Sequence, residues 1–398
     1  MRIVHVITRL IVGGAQENTL LSCRGQHQRG HDVTLITGPS TGPEGSLLAR
    51  ASSEGYRIIE LPKLIRAVRP ITDISATRRL VKLFRQLSPD IIHTHSSKAG
   101  ILGRIAAARY NFPVNPKRRP ARRAAIVHTV HGLAFTASKS ALVNHAYRLA
   151  EKFTAPLAHR IVCVATALTE QSLAAHVGKP HQYTTVYSGM DTQPFLDAHL
   201  TRDAVRRELA IAPTDIIVGT IARLFHMKGH DDILAIAPGL CRRFPHLRFL
   251  WIGDGILRHD FERRILALGL SDRFIFTGLV APSRVPALTG AMDILLHPSY
   301  REGLARAIPQ GQLAGCPVIA YDVDGNREGL LHNQTGYMIP LSDTHALSNS
   351  LAHLLENPSL RTSMAAAGQT FAAARFSTEA MINSLESVYA QALTLARP

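Results

Sequence analysis

The strongest constraint on this chain is a recurring one: short β-branched runs separated by stretches of helical character. IVHVI, VTLIT, RIIEL, DIIHTH, AIVHTV and RIVCVA come first; TTVYS, IIVGTIA, RFLWIG, RFIFTG, DILLHP and CPVIAY follow. Strands that alternate with amphipathic segments predict parallel sheets wrapped by helices, the α/β class. The pattern runs twice, and the polar interval from Asp191 to Asp215, punctuated by Pro194 and Pro213, separates the two series. A chain of 398 residues also exceeds the size at which one core usually stops growing. The expected organisation is a first domain over 1–190, a second over 191–375, and a helix over 376–398 that could pack back on the first domain. Beyond about Asp343 no clear strand is legible, and HALSNSLAHLLEN, SLRTSMAAAGQTFAAARF and STEAMINSLESVYAQALTLA read as helices.

Cys23, Cys163, Cys241 and Cys316 are scattered, with no CxxC pair, so neither a disulfide framework nor a zinc cluster is indicated. The N-terminal run MRIVHVITRLIVGGAQ is broken at Thr8 and Arg9 and ends in a glycine pair, which reads as a strand rather than a signal peptide. No stretch approaches the ~20 apolar residues of a spanning helix. The expectation is a cytoplasmic protein, soluble or peripheral on the inner face of a membrane. Lys and Arg exceed Asp and Glu by 45 − 29 = 16, and NPKRRPARRAA concentrates Lys117, Arg118, Arg119, Arg122 and Arg123. That segment is either a solvated loop or a contact for an anionic surface. The other arginines lack aromatic interleaving or a nucleic-acid motif, so no nucleic-acid partner is expected.

Doubly wound domains bind ligands at the carboxyl ends of their strands. The informative residues lie there. Gly13 and Gly14 follow RIVHVI and precede a helix, which permits close approach of an anionic group or makes a plain turn. Arg223 follows IIVGTIA, Lys228 comes five residues later, and Gly229 opens a helix. A planar fork and a point charge at one strand end can grip a diphosphate, and would stabilise it as a leaving group. Gly253, Asp254 and Gly255 follow the RFLWI run in the same way. Glu302 follows DILLHPS, with Gly303 and Leu304 behind it, whose amides are expected to begin a helix. A carboxylate there can accept bonds from sugar hydroxyls, or act only as an acid at a helix N-terminus.

Taken in order, GGAQ, ARLFHMKG, IGDG, FTG, PSYREGLARAIPQGQLAGCPVIAYDVDGNREGLL and TGYMIP resemble the sugar-nucleotide-dependent, retaining glycosyltransferases of family 4, over nearly the whole chain. The resemblance implies the GT-B fold, two facing Rossmann-like domains with a ligand cleft between them. It implies that Arg223 and Lys228 bind the donor diphosphate and that Glu302 meets the donor sugar. Gly13, Gly14, Gly253, Gly255, Leu279, Gly303 and Leu304 join the donor side by the same resemblance. His131, in AIVHTVHGLAF, matches a histidine that the family places near the anomeric centre, and domain closure would bring it to the donor.

His128 and His131, and His93 and His95, are spaced so that metal binding is one reading and strand-end packing the other; no metal and no cofactor are expected. Ser96, Ser97 and Lys98 could line the acceptor side. The chain departs from the family at Gln310, where the pattern has a second glutamate thought to hold the ribose. An amide accepts from one hydroxyl and donates to another, so the exchange tunes donor affinity rather than removing reactive charge. The implied reaction moves a sugar from a nucleotide diphosphate to an acceptor hydroxyl, with retention, in the synthesis of a cell-surface polysaccharide or glycolipid. A sugar or polyprenyl-linked acceptor and an anionic membrane surface are the expected partners. A non-catalytic GT-B scaffold for an anionic lipid or polymer, and another sugar-nucleotide enzyme such as an epimerase, stand as alternatives.

Overall fold

The computed structural model describes residues 1–40, 45–135 and 140–397. Its chain divides into two compact units, Met1–Met190 with the segment from Thr378 onward, and Asp191–Ser377. The first holds β1 (Arg2–Ile7), β2 (Asp32–Thr37), β3 (Arg57–Glu60), β4 (Ile91–His95), β5 (Ala125–Val130), β6 (Arg160–Cys163) and β7 (Tyr183–Thr185). They pair in parallel in the order β3-β2-β1-β4-β5-β6-β7. The second holds β8 (Ile216–Ile221), β9 (Leu247–Ile252), β10 (Phe274–Gly278), β11 (Ile294–His297), β12 (Val318–Tyr321) and β13 (Gly336–Ile339). Their order is β10-β9-β8-β11-β12-β13, again parallel.

Strands covered by helices on both faces are buried along their length, and β4 and β11 are buried at every residue, the polar His93, Thr94 and His95 of β4 included. β13 escapes that signal. GYMI is four residues long with one β-branched side chain, and only its pairing with β12 makes it a strand. In both sheets the winding reverses where two strands far apart in sequence lie side by side, β1 against β4 and β8 against β11. A crevice opens at the carboxyl ends of such a pair. The polar interval from Asp191 forms short helices, Gln193–Leu196 and Arg202–Glu208, and belongs to the second unit.

The helix Pro358–Phe376 closes the second unit, and the next one, Thr378–Ala396, returns to the first. Its apolar residues Met381, Ile382, Leu385, Val388, Tyr389, Ala392 and Ala396 recur at helical spacing and are all buried. They form one cluster with Ile3, Leu21, Ile91, Val127 and Val162, so this distant helix covers one face of the first sheet. Arg397 anchors its end, donating to Asp90 at 2.9 Å and to the Arg123 carbonyl at 2.9 Å.

Truncating Ile382 to alanine leaves a cavity between this helix and the helix Gly14–Gln28. The expected cost is about 2–5 kcal/mol. In urea unfolding followed with a probe in each unit, the first unit's midpoint should fall while the second unit's stays; equal shifts would contradict the division described.

Candidate functional site

A charged constellation in the second unit grows from the loops after β8 and β11. Met227 and Gly229 both take left-handed backbone, with φ of 70° and 74°. At Gly229 a Cβ would stand 1.9 Å from the Pro298 carbonyl oxygen, so only glycine lets the two loops approach this closely. The Tyr300 amide donates to the Met227 carbonyl at 2.9 Å, and Ser299 Oγ donates to the same oxygen at 3.2 Å. Lacing the loops together brings Lys228 Nζ to 2.5 Å from Glu302 Oε1. His297 Nε2, at the end of β11, lies 3.1 Å from that same oxygen. The Glu302 amide donates to Asp324 Oδ2 at 2.9 Å, and the Gly325 amide to the Gly303 carbonyl at 3.0 Å, which ties in the loop after β12.

Burial by itself would push the Glu302 carboxyl up. The hydrogen bond from His297 and the charge of Lys228 outweigh it and hold the group at about 2. Glu302 is therefore a carboxylate throughout the neutral range, able to accept hydrogen bonds and unable to act as an acid. Both partners sit on Oε1; Oε2 accepts no bond from the described residues. Arg223 is exposed, its guanidinium 4.8 Å from the Phe225 ring centroid, and no carboxylate among the described residues pairs with it.

Glycines 253 and 255 have a local reason. Added Cβ atoms would stand 2.2 Å from the Ala222 carbonyl oxygen and 2.3 Å from that of Leu224, so this loop lies backbone to backbone against the one carrying Arg223. The Leu224 amide donates to the Asp254 carbonyl at 3.0 Å, and the Leu257 amide to the Leu224 carbonyl at 3.1 Å. The expectation that the Gly303 and Leu304 amides begin a helix is not met: the helix is Ala307–Leu313, and both residues lie in a bend before it. Holding the Glu302 backbone to Asp324 delays the turn. Pro309 falls in the helix's first turn, where its missing N–H costs nothing. Gln310 follows it, partly exposed, with a side chain that bonds to none of the described residues. Leu279, just beyond β10, is 66% exposed.

Gly13, Gly14 and His131 lie in the first unit. The helix Gly14–Gln28 starts directly at the glycine pair, with Gly13 in extended backbone before it. His131 follows β5, and its Nε2 lies 3.1 Å from His95 Nδ1. His95 Nε2 in turn meets His5 Nδ1 at 2.9 Å, and His5 Nε2 meets Gln26 Oε1 at 2.8 Å. Gln26 Nε2 donates to Tyr389 OH at 3.0 Å, which contacts His93 Nδ1 at 2.7 Å, and His93 Nε2 contacts Thr129 Oγ1 at 2.7 Å. The nitrogens of His5, His93 and His95 lie within 4.8 Å of one another, a spacing an ion could use, yet all six already have hydrogen-bond partners. His128 is separate from this chain: it packs on Gly100 and bonds Thr94. Ser96 and Ser97 line a small recess with Arg104, His128 and Glu151, whereas Lys98 is engaged by Asp73 at 2.6 Å.

His297, Asp324 and Gln26 were not among the residues singled out from sequence. A signal existed for His297, the last residue of a β-rich run just ahead of Glu302. None existed for Asp324 or Gln26, which act through side chains that long-range packing brings into register.

A family model described as Glycosyl transferases group 1 matches residues 201–371, and one described as Glycosyltransferase Family 4 matches residues 12–194. The chain belongs to the family 4 glycosyltransferases. The enzyme is 27% identical over 360 residues to the UDP-Gal:alpha-D-GlcNAc-diphosphoundecaprenol alpha-1,3-galactosyltransferase of Escherichia coli, covering 90% of this chain and 88% of that one. It is 25% identical to the GDP-mannose-dependent alpha-mannosyltransferase of Mycobacterium tuberculosis, covering 86% and 85%. Among solved structures, HepE of Anabaena in complex with UDP superimposes with a TM-score of 0.81 over 98% of this chain and 100% of its own, at 19% identity. At that identity the likeness is one of fold, and the fold is GT-B.

Burial holds His5 down at about 4, against the raising effect of its bond to Gln26, and holds His93, His95 and His128 well below the ordinary histidine range. The unfolded chain takes up protons near 6.5 that the folded one refuses, so stability falls as pH drops from about 6.5 towards 4, by about 1.4 kcal/mol per pH unit for each such histidine. The second unit carries one comparable group, His230, also held at about 4. Urea midpoints at pH 7.5 and pH 5 should therefore drop more for the first unit than for the second; an equal or smaller drop would contradict neutral burial of the cluster.

Proposed function

We propose that this glycosyltransferase takes its sugar from a nucleoside diphosphate and transfers it, with retention, to a hydroxyl of a sugar or polyprenyl-linked acceptor. The observation that carries the reading is the constellation of Lys228, Glu302 and His297 at the carboxyl ends of β8 and β11, where the sheet winding reverses. In this reading Arg223 and Lys228 take the diphosphate and neutralise the charge that grows on it as the glycosidic bond lengthens. Glu302, fixed as a carboxylate, offers Oε2 to the donor sugar's hydroxyls and orients the ring. As the anomeric carbon acquires oxocarbenium character, the nearby negative charge stabilises it. Binding of the diphosphate draws Lys228 towards phosphate, and the bond from His297 keeps Glu302 in place meanwhile. Gln310 serves a neutral ribose, and His131 meets the donor near the reacting carbon. The relative named for a diphosphoundecaprenol-linked acceptor supports a lipid-linked acceptor for this chain as well.

The test is a panel of nucleotide sugars in binding and transfer assays without added divalent metal. One donor should turn over, and Arg223→Ala and Glu302→Ala should each lower kcat/KM roughly 100-fold or more. Gln310→Glu should change donor affinity with little change in kcat. Binding of no nucleotide sugar by the wild type would overturn the proposal.

We also propose that the enzyme works at an anionic membrane surface. Among the described residues no helix is long and apolar enough to cross a membrane. The loop carrying Lys117, Arg118, Arg119, Arg122 and Arg123 exposes all five, together with Val114 and, at 56%, Phe112. Asn111 pins its base through two bonds of 2.9 Å to the Ala124 backbone. Each basic residue near such a surface contributes about 1 kcal/mol. Cosedimentation with anionic liposomes at physiological salt should be strong for the wild type and largely lost when the five are neutralised. Unchanged binding would locate any membrane contact elsewhere.

A further inference from the structure

The helix Ala141–Thr154, which joins β5 to β6, is turned inside out for a helix of a globular domain. Leu142, Ala146, Leu149 and Phe153 recur at helical spacing and form one apolar stripe over about three turns, the pattern that ordinarily faces a core. Here it faces outward. All four residues are exposed, Leu142 at 80%, Phe153 at 71% and Leu149 at 43%. The side turned to the protein is the polar one: Glu151 and Thr154 are its buried residues, and Glu151 Oε2 accepts from the buried Arg104 Nη2 of the helix Ser97–Asn111 at 2.5 Å. An ion pair docks this helix, and its apolar face is left to the outside. Single exposed apolar residues need no explanation, but a contiguous stripe does.

The charge beside the stripe selects what covers it. His145, Arg148 and Lys152 recur along one edge and are exposed, while Glu151, the one acid of the helix, is held in its buried ion pair. An apolar stripe, a cationic edge and no exposed acid are the composition of a helix that lies in the plane of a membrane interface, and 14 residues are too few to cross one. A second copy of the chain fits worse: antiparallel helices facing across a two-fold axis would set each cationic edge beside the other. The surface also continues past the helix. Through Ala155–Leu157 the chain enters β6, and the loop with Lys117 to Arg123 enters β5, the strand paired with β6. At that sheet edge Arg123 lies over the Phe112 ring, 4.5 Å from its centroid, and Phe112 and Val114 are exposed.

We propose that the helix Ala141–Thr154 is an interfacial anchor, lying along an anionic lipid surface with Leu142, Leu149 and Phe153 among the acyl chains and Arg148 and Lys152 at the headgroups. The inference rests on the reading of an anionic membrane as the enzyme's workplace and goes beyond it. That reading asks only for charge at the loop, whereas the anchor is apolar insertion by a different element. The inner side of the same helix contributes Glu151 to the recess lined by Ser96 and Ser97 after β4 and by Gly132 and Leu133 after β5. A helix lying on the lipid brings that recess to the surface where the hydroxyl of a lipid-linked acceptor resides.

Cys23, Cys163, Cys241 and Cys316 are buried, so Leu149→Cys in the full chain takes a polarity-sensitive fluorophore selectively. On vesicles of phosphatidylglycerol and phosphatidylcholine in equal parts, its emission should shift to the blue, and nitroxides placed high on the acyl chains should quench it. The same fluorophore at Ser384→Cys, on the helix Thr378–Ala396 that covers the opposite face of the first sheet, should do neither. Leu142→Gln, Leu149→Gln and Phe153→Gln together remove exposed apolar area and keep good helix formers, so vesicle affinity should fall roughly 10-fold or more while the first unit's urea midpoint holds. A fluorophore at Leu149→Cys that stays in water while the protein is bound would overturn the anchor and leave the membrane reading standing. No binding of the wild type to these vesicles would remove both. A blue shift without vesicles that grows with protein concentration would assign the stripe to a second copy of the chain and overturn the anchor as well.

Discussion

The parallel pairing of β8 with β11 is the contact on which the second unit's chemistry depends. These strands lie about 75 residues apart in sequence, and their pairing places two otherwise unrelated loops at one sheet edge. The glycine at 229 then lets the loops close to backbone distance, and a lysine from one meets a glutamate and a histidine from the other. Without the winding reversal there is no shared crevice. Without the glycine the loops stand too far apart for a 2.5 Å ion pair.

Glu302 shows how local electrostatics choose one chemical role out of several. A buried carboxyl with no partner would be neutral and could donate a proton. With His297 and Lys228 on one oxygen it is an obligate acceptor, its second oxygen open to hydroxyls. The glutamine at 310 is consistent with such a division of labour. In the proposed reading, charge is concentrated where the bond breaks and a neutral amide suffices for a neutral ribose.

The first unit solves a different problem. It buries several imidazoles that would be expensive to charge, and it satisfies each ring nitrogen in a chain that runs to the C-terminal helix. That helix is joined to the second unit in sequence but completes the first unit's core, so the polar chain and the apolar cluster around Ile382 and Leu385 depend on the same docking.

Strand periodicity and motif spacing made much of this legible in advance. The runs from IVHVI to CPVIAY announced two parallel sheets because strands covered on both faces are rich in aliphatic and β-branched residues, and the places of Arg223, Lys228 and Glu302 in loops after strands could be read because strand ends are set locally. β13 was missed since GYMI is too short to carry a pattern. Gly303 and Leu304 were misread as a helix start since Asp324, far along the chain, holds the backbone back. By itself the sequence determined most of the strands and helices and which side chains stand at strand ends, because period and turn chemistry are local. Tertiary structure alone decided that Lys228 and His297 share one oxygen of Glu302, and that Gln26 faces His5 on one side and Tyr389 on the other. Those are relations of a few ångströms between residues tens to hundreds of positions apart, and they come into being only when the sheets and the returning helix are packed.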